Sequence, residues 1–437
     1  MTEPREGEDA LLVDPTPGRF ELEMHPPGSK SLTNRALLLA ALASGRSILH
    51  RPLVSDDTVA LREALAILGA NVTVRDDRWL IDGVDGAFPN GGEVDLGDGG
   101  TPARFMLAAA ALARAPVRVD GSPRMRERPV SEGIELLRDL GVTITGTGRP
   151  EHLPAFVEPW GTRTGGSLSV GRTASSQFLS ALLLVAPWTD EGIVLEHLDP
   201  PTSASYLELT RGLLRRVGAT IDDDGRVRSG GLSGFELPIE PDASSAIYWW
   251  SAAALVPEAS VTIPVPADSL QPDLHALDLL EAFGARIERW SESVTVHGPH
   301  RLVGARIDAE RCPDAAVMLS IVAACCEGPS RIDGLRTLRV KETDRIHAVA
   351  TELAKTGCTV VQHPDALEID PSSMDERPIR VGTWNDHRMA MAFGVLGLVR
   401  PGVTIEDPGC VSKSYPRFWA DRADLIDSVE VTRPAPE

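Results

Sequence analysis

Basic side chains gathered at apparent helix starts are the most chemically suggestive feature of this chain. PGSKSLTNR carries Lys30, Ser31 and Arg35, and RVKETDR carries Arg339, Lys341, Glu342, Asp344 and Arg345. NDHRMAM sets Asn385, Asp386, His387 and Arg388 ahead of the apolar run MAMAFGVLGLV. PRMRERP adds Arg124, Arg126 and Arg128, and CVSKSYP adds Lys413. Lysine and arginine beside the unpaired amides and positive dipole end of a helix make a site for phosphate or carboxylate. In GDGGTPARF, Thr101 is a candidate N-cap with Pro102 at the first helical position, and Gly99 and Gly100 leave amides open to an oxyanion.

Each stretch also has an ordinary explanation. Polar residues cap helices wherever they start, so Asp386 reads as a cap; Glu342 and Arg345 could be a surface ion pair, and Lys413 is by default solvated. Three arginines as close as those of PRMRERP need an acid or a phosphate to neutralise them, or else form an exposed basic loop. What carries weight is that these groups recur at equivalent places in a repeat. Together they offer many cations, one histidine and few carboxylates, which fits a small substrate bearing two or more anionic groups held between two domains.

The repeat itself is visible in six places. PGSKSLTNRALLLAALASG, DGGTPARFMLAAAALA, TASSQFLSALLLVAP, DASSAIYWWSAAALVP, PDAAVMLSIVAACCEG and NDHRMAMAFGVLGL each pair a short polar start with an Ala/Leu-rich run. Their starts, at Gly28, Gly99, Ser175, Asp242, Asp314 and Asp386, are spaced by roughly 67 to 76 residues, the sign of a repeated supersecondary unit. The runs hold few β-branched residues and read as helices buried on all sides. Each is followed by an amphipathic helix such as SDDTVALREALAILGANV, usually stopped by glycine, and by short β-prone runs such as SLSV, IVLEHL and LEIDP. The unit is therefore strand, buried helix, strand, amphipathic helix, strand, strand, and six copies predict two domains of three. REGEDALLVDPTPGRF and ELPIEPDASS are the candidate boundaries.

A chain of 437 residues is too long for one core and suits two domains. The net charge of -20, from 43 basic and 63 acidic residues, excludes a general nucleic-acid binder. It also makes the basic helix starts selective placements. No secretory signal or membrane-spanning apolar run is visible, and the five cysteines have no zinc-like spacing, so a cytoplasmic protein with reduced thiols and no metal site is expected. A monomer is the expected state.

PGSKSLTNR, GGTPARF, PRMRERP, SSQFLSALL, PDAA, RVKETDR, NDHRMAM and KSYP stand in the order seen in the 5-enolpyruvylshikimate-3-phosphate synthase family of enolpyruvyl transferases. The chain resembles that family over nearly its whole length. The resemblance implies an α/β fold of two similar domains, each of three βαβαββ units (an inside-out α/β barrel), with the active site in the interdomain cleft. It further implies an inner domain of residues 27–241 and a discontinuous outer domain of 1–26 plus 242–437, with the first residues pairing with the C-terminal half. The implied substrates are shikimate 3-phosphate and phosphoenolpyruvate, with no cofactor.

By the same resemblance, Lys30, Ser31, Arg35, Ser175, Ser176, Gln177, Ser203, Tyr206, Asp314 and Lys341 would address shikimate 3-phosphate. Lys30, Gly100, Arg124, Gln177, Arg345, Arg388 and Lys413 would hold phosphoenolpyruvate. Asp314 and Glu342 would move protons, with Lys30 and His387 sharing that work. Asp98 stands where the family commonly has Asn, and Thr337 near another such position. A carboxylate at 98 would repel the anionic substrate unless Arg104 or Arg124 neutralises it or the side chain is turned to a structural task. The related UDP-sugar transferases carry a reactive cysteine in the inner segment, whereas the cysteines here all follow residue 311. A non-catalytic anion binder would gain nothing from the paired carboxylates.

Overall fold

The computed structural model describes residues 10–16, 18–146 and 151–431. The chain divides into two compact units, Met1–Pro27 with Pro241–Glu437, and Gly28–Glu240. The six Ala/Leu-rich runs form the helices Lys30–Leu42, Gly100–Ala110, Ser176–Val185, Ala243–Leu255, Ala316–Ala324 and His387–Leu396. They are enclosed on nearly every face, as their lack of a polar stripe requires; in Ala316–Ala324 every residue is buried.

The repeat is plainest in the fifth copy. Arg306–Asp308 leads into the buried helix and returns as the parallel strand Ser330–Asp333. The amphipathic helix Arg345–Ala354 follows, and the hairpin of Thr359–Gln362 and Leu367–Asp370 closes the four-stranded sheet. The second copy repeats this order with Gly92–Asp95, Val117–Asp120, Ile144–Gly146 and Ala155–Val157. In the first copy the leading strand is Glu236–Pro238, from the far end of its unit. In the fourth it is Glu21–Glu23, from the N-terminal segment. The chain thus passes between units twice, near 27/28 and 240/241. The second passage lies inside ELPIEPDASS; the first follows REGEDALLVDPTPGRF rather than falling within it.

Two copies depart from the expected pattern. In the third, Gly166–Val170 pairs only with Ile193–His197, and the closing hairpin is reduced to isolated bridges among Ile193, Ile221 and Val227. The segment between Ile221 and Val227, DDDGR, is charged and turn-forming, so it has no apolar alternation with which to extend a strand. In the sixth, Ile379–Val381 and Val403–Glu406 are joined by Ala10–Val13, an antiparallel strand from the N-terminal segment. The expected N-cap at Thr101 also shifts: the helix starts at Gly100 with Gly99 as its cap residue. The Thr101 hydroxyl instead accepts a bond from Gln177 at 2.9 Å.

Gly28 sits where backbone meets backbone. A Cβ there would lie 2.2 Å from the Arg51 carbonyl oxygen, a distance that nothing but backbone movement could relieve. At Gly161 the same addition meets nothing within 4 Å. Gly28→Ala is therefore expected to lower unfolding free energy by ~1–3 kcal/mol, the usual cost of overpacking, and Gly161→Ala to leave it unchanged or slightly raised. Urea denaturation of both variants checks this; equal midpoints would show that the Gly28 contact is not limiting.

Candidate active site

In the unit containing the C-terminal half, one guanidinium organises the charges. Arg345 opens the Arg345–Ala354 helix and is only 1% exposed. Its Nε donates to Asp386 Oδ2 at 2.7 Å, its Nη2 to Glu342 Oε2 at 2.8 Å and to Asp386 Oδ1 at 3.2 Å, and its Nη1 to Asp314 Oδ1 at 3.0 Å. Burial pulls its pKa down, but Asp386, Glu342 and Asp314 together push it above the ordinary arginine value. Asp386, fully buried, also caps the His387–Leu396 helix by accepting from the Arg388 amide at 2.9 Å. One buried carboxylate thus ties two helix starts together.

Around this pair stand the other predicted residues of the unit. Asp314 lies in the 3₁₀ turn Pro313–Ala315 that leads into Ala316–Ala324. Besides Arg345 it meets Lys341 Nζ at 3.2 Å and, through Oδ2, Arg388 Nη2 at 2.8 Å. Glu342 Oε1 faces Lys413 Nζ at 3.3 Å. Burial pushes the Lys341 pKa down, with Asp314 pulling it back up. The structure therefore gathers Asp314, Lys341, Glu342, Arg345, Arg388 and Lys413 into one network of cations and carboxylates. His387 is beside it but wholly enclosed, its Nδ1 3.8 Å from Asp386 Oδ1. Thr337 is on the 3₁₀ helix Arg336–Val340.

In the Gly28–Glu240 unit the predicted residues again sit at helix starts, held more by neutral bonds. Ser29 caps Lys30–Leu42, and Lys30 Nζ lies 3.4 Å from Asp57 Oδ2. Ser175 caps Ser176–Val185, its hydroxyl accepting from the Gln177 amide. The Gln177 side chain bridges two groups of the Gly100–Ala110 helix: Nε2 donates to Thr101, and Oε1 accepts from Arg104 Nη1 at 2.6 Å. Ser203 precedes Ala204–Arg216 with φ of 48°, and Tyr206 lies in that helix's first turn. Arg35 is largely enclosed and donates to Thr210 Oγ1, Ser180 Oγ and the Ser31 carbonyl. Burial pulls its pKa down to about 10, and Tyr206 partly offsets that.

The three arginines of PRMRERP separate. Arg126 makes a two-pronged pair with Asp120, Arg124 is half exposed and pairs with Glu127 at 2.9 Å, and Arg128 is buried against Gly100. A Cβ on Gly100 would meet Arg128 Nη1 at 2.6 Å, so the glycine makes room for a guanidinium over the helix start. Asp98 accepts a bond from the Ser122 hydroxyl, which in turn caps Pro123–Glu127. The side chain suspected as an electrostatic liability thus performs a structural task, linking the glycine loop to the arginine helix.

In this half sequence reasoning missed Asp57 and did not single out Arg128. Asp57 reads as an ordinary first-turn acid of Asp56–Leu68, and only folding brings it to Lys30. Arg128 was one of three arginines with nothing to single it out. Its spacing from Gly100 carries no local signal. Among the described residues no group of three or more His, Cys, Asp or Glu side chains could hold a metal ion.

A family model described as EPSP synthase (3-phosphoshikimate 1-carboxyvinyltransferase) matches residues 15–421. The chain belongs to the EPSP synthase family. A 3-phosphoshikimate 1-carboxyvinyltransferase of Methanosphaerula palustris is 37% identical over 410 residues, which cover 92% of this chain and 96% of the relative. One of Cellvibrio japonicus is 37% identical over 402 residues, 90% and 94% of the two chains. The fold is shared with solved EPSP synthase from Acinetobacter baumannii, with a TM-score of 0.77 at 24% identity, covering 95% of this chain and 97% of that one. It is also shared with an enolpyruvyl transferase of Streptomyces tendae, with a TM-score of 0.74 at 19% identity, covering 95% and 97%. The family is that of the two-domain inside-out α/β fold, and the three-plus-three sheets seen here are its α/β repeats.

Removing the hub should be far costlier than removing a surface arginine. Arg345→Met leaves the fully buried Asp386 carboxylate without its guanidinium, and loss of one partner of a buried pair costs about 3–5 kcal/mol. Arg345→Lys cannot span three carboxylates and should recover only part of it. Denaturant unfolding of both variants reads the difference; a loss below ~1 kcal/mol in Arg345→Met would show that the pair is dispensable to the fold.

Proposed function

We infer that the chain transfers the enolpyruvyl group of phosphoenolpyruvate to the 5-hydroxyl of shikimate 3-phosphate and releases phosphate, a step of the shikimate pathway toward chorismate. The observation that carries this reading is the network in which two carboxylates, Asp314 and Glu342, are each held by several cations. An anion-binding module has no use for such carboxylates, whereas the reaction needs two proton-transfer groups among phosphate clamps. The acceptor hydroxyl must lose a proton as it attacks. The enol methylene must gain one to develop positive character at the adjacent carbon, and must lose one again when phosphate leaves.

In this assignment Asp314 accepts the proton of the 5-hydroxyl, and Lys341 and Arg388 orient its carboxylate. Glu342 handles the methylene proton, with Lys413 and Arg345 fixing its two oxygens. Arg345, Arg388, Lys413, Lys30, Gly100, Arg124 and Gln177 are assigned to phosphoenolpyruvate. The cations gather negative charge where it accumulates on the departing phosphate. Shikimate 3-phosphate is assigned to Lys30, Ser31, Arg35, Ser175, Ser176, Gln177, Ser203, Tyr206, Asp314 and Lys341. Three of the five Arg35 N–H donors are used internally, so two remain for the substrate. Enclosure of His387 supports an orienting part for it rather than direct proton transfer.

The division of the chain into the compact units Met1–Pro27 with Pro241–Glu437 and Gly28–Glu240 supports a domain division of 1–26 plus 242–437 and 27–241. The same reading carries a monomeric, cytoplasmic enzyme; its five cysteines are free thiols, and no helix of the described residues is long and apolar enough to cross a membrane.

Phosphate release from phosphoenolpyruvate should require shikimate 3-phosphate and should not occur with a UDP-sugar acceptor. Lys30→Met and Glu342→Gln are expected to fold and to lose turnover by at least ~100-fold, the scale for a charged catalytic group. Asp314→Asn should lose turnover and also the acidic limb of the pH profile. Near-wild-type turnover in any of the three would remove that residue from its assigned role, and release with the UDP-sugar would reassign the acceptor.

A further inference from the structure

The turn before the His387–Leu396 helix holds a tryptophan in a backbone region that a bulky residue does not favour. Trp384 and Asn385 follow one another with φ of 58° and 53°. A bulky side chain in the left-handed region brings its Cβ against the following carbonyl, and such a turn persists only where its surroundings hold it. One buried carboxylate does the holding. Glu352, 2% exposed, accepts through Oε2 from the Gly382 amide at 2.9 Å and from Lys355 Nζ at 2.6 Å, and through Oε1 from the Trp384 indole at 3.0 Å. The indole also meets His347 edge-on, with ring centroids 5.5 Å apart.

Glu352 and His347 lie on the helix that Arg345 opens. That helix therefore grips the 382–388 segment at two levels, with Arg345 on Asp386 and Glu352 on Gly382 and Trp384. The left-handed pair Trp384–Asn385, of which the tryptophan is the disfavoured member, lies within this grip. Directly after it come the Asp386 cap and Arg388, whose guanidinium reaches Asp314.

We propose that Glu352 is a positioning residue for the reaction, holding the left-handed turn at 384–385 and thereby the direction in which Arg388 leaves the start of its helix. The inference rests on the role given above to Arg388 in binding phosphoenolpyruvate. If Glu352 served only to neutralise Lys355, it would have no need of the turn. Its two further bonds go to an amide and an indole, both N–H donors from the turn itself. A glutamine cannot copy this arrangement. It offers one oxygen and one NH₂, so in either orientation the NH₂ faces an N–H of Trp384 or of Gly382, donor against donor.

The test compares Glu352→Gln with Trp384→Phe, which deletes one donor and keeps a ring, and with Lys355→Ala, which deletes only the cation. Glu352→Gln is expected to raise the KM for phosphoenolpyruvate by ~10-fold or more, the scale seen when an outer support of a binding group is lost. Trp384→Phe should act in the same direction by a smaller factor, and Lys355→Ala should stay near wild type. The Kd of shikimate 3-phosphate, measured without phosphoenolpyruvate, should change by less than about twofold, because support confined to one ligand leaves uniform binding elsewhere intact. An unchanged KM in Glu352→Gln overturns the proposal, as does an equal loss of both ligands. Backbone hydrogen exchange separates this from the enzymatic reading. Even in a protein with no enolpyruvyl transfer, faster exchange confined to 382–389, the Gly382 amide that Glu352 accepts from included, supports the hold of Glu352 on the turn, and unchanged exchange there overturns it.

Discussion

A charge cannot be buried alone, and in this protein that rule is met by the pairing of Arg345 with Asp386. Both side chains are essentially without solvent, and two hydrogen bonds join them. Desolvating either ion is so costly that neither tolerates a position from which the other is missing. Asp386 must also stay where it can accept from the Arg388 amide, so the pair fixes two helix starts together. The remaining donors of Arg345 then determine where Asp314 and Glu342 lie, and those carboxylates in turn gather Lys341, Arg388 and Lys413. A network of fixed charges follows from one buried pair because each member has more hydrogen-bonding positions than its first partner uses.

The Gly28–Glu240 unit reaches a similar arrangement of helix starts with less charge. There Gln177 links two starts through an amide, and Ser175 and Ser29 cap their helices with hydroxyls. Neutral bonds of this kind carry a smaller desolvation cost than a buried ion pair. Lys30 with Asp57, and Arg128 over Gly100, place its positive groups at the starts of the first and second helices. Asp314 and Glu342, the carboxylates proposed above to move protons, belong to the unit in which cations hold carboxylates in fixed orientations.

Much of this could be read from the sequence because the repeat is local. A run such as AVMLSIVAA has no polar stripe and can only be a helix enclosed by others, and LEIDP or GVTIEDP can only be short strands. Asp386 was legible as a cap and is one, whereas Thr101, expected to cap its helix, does not. What was not legible depends on which repeats pack side by side. Glu352 was not singled out in the sequence, because it is buried and faces a turn 30 residues ahead. Asp57 was hidden for the same reason, Arg128 could not be told from its neighbouring arginines, and of the alternatives open for Asp98 the structure shows a bond from the Ser122 hydroxyl. The degenerate third hairpin shows the limit of repeat logic: the period continued, but DDDGR lacked the side chains to make a strand.

The dependence of the site on its buried pair can be measured as a coupling energy. Unfolding free energies of the wild type, Arg345→Met, Asp386→Asn and the double variant form a closed cycle. If the pair organises its surroundings, the double variant should be no worse than the poorer single one, with a coupling of about 2–3 kcal/mol, at the upper end for residues in direct contact. Losses that add to within ~0.5 kcal/mol would contradict it, because they would show that Arg345 and Asp386 hold their places independently of one another.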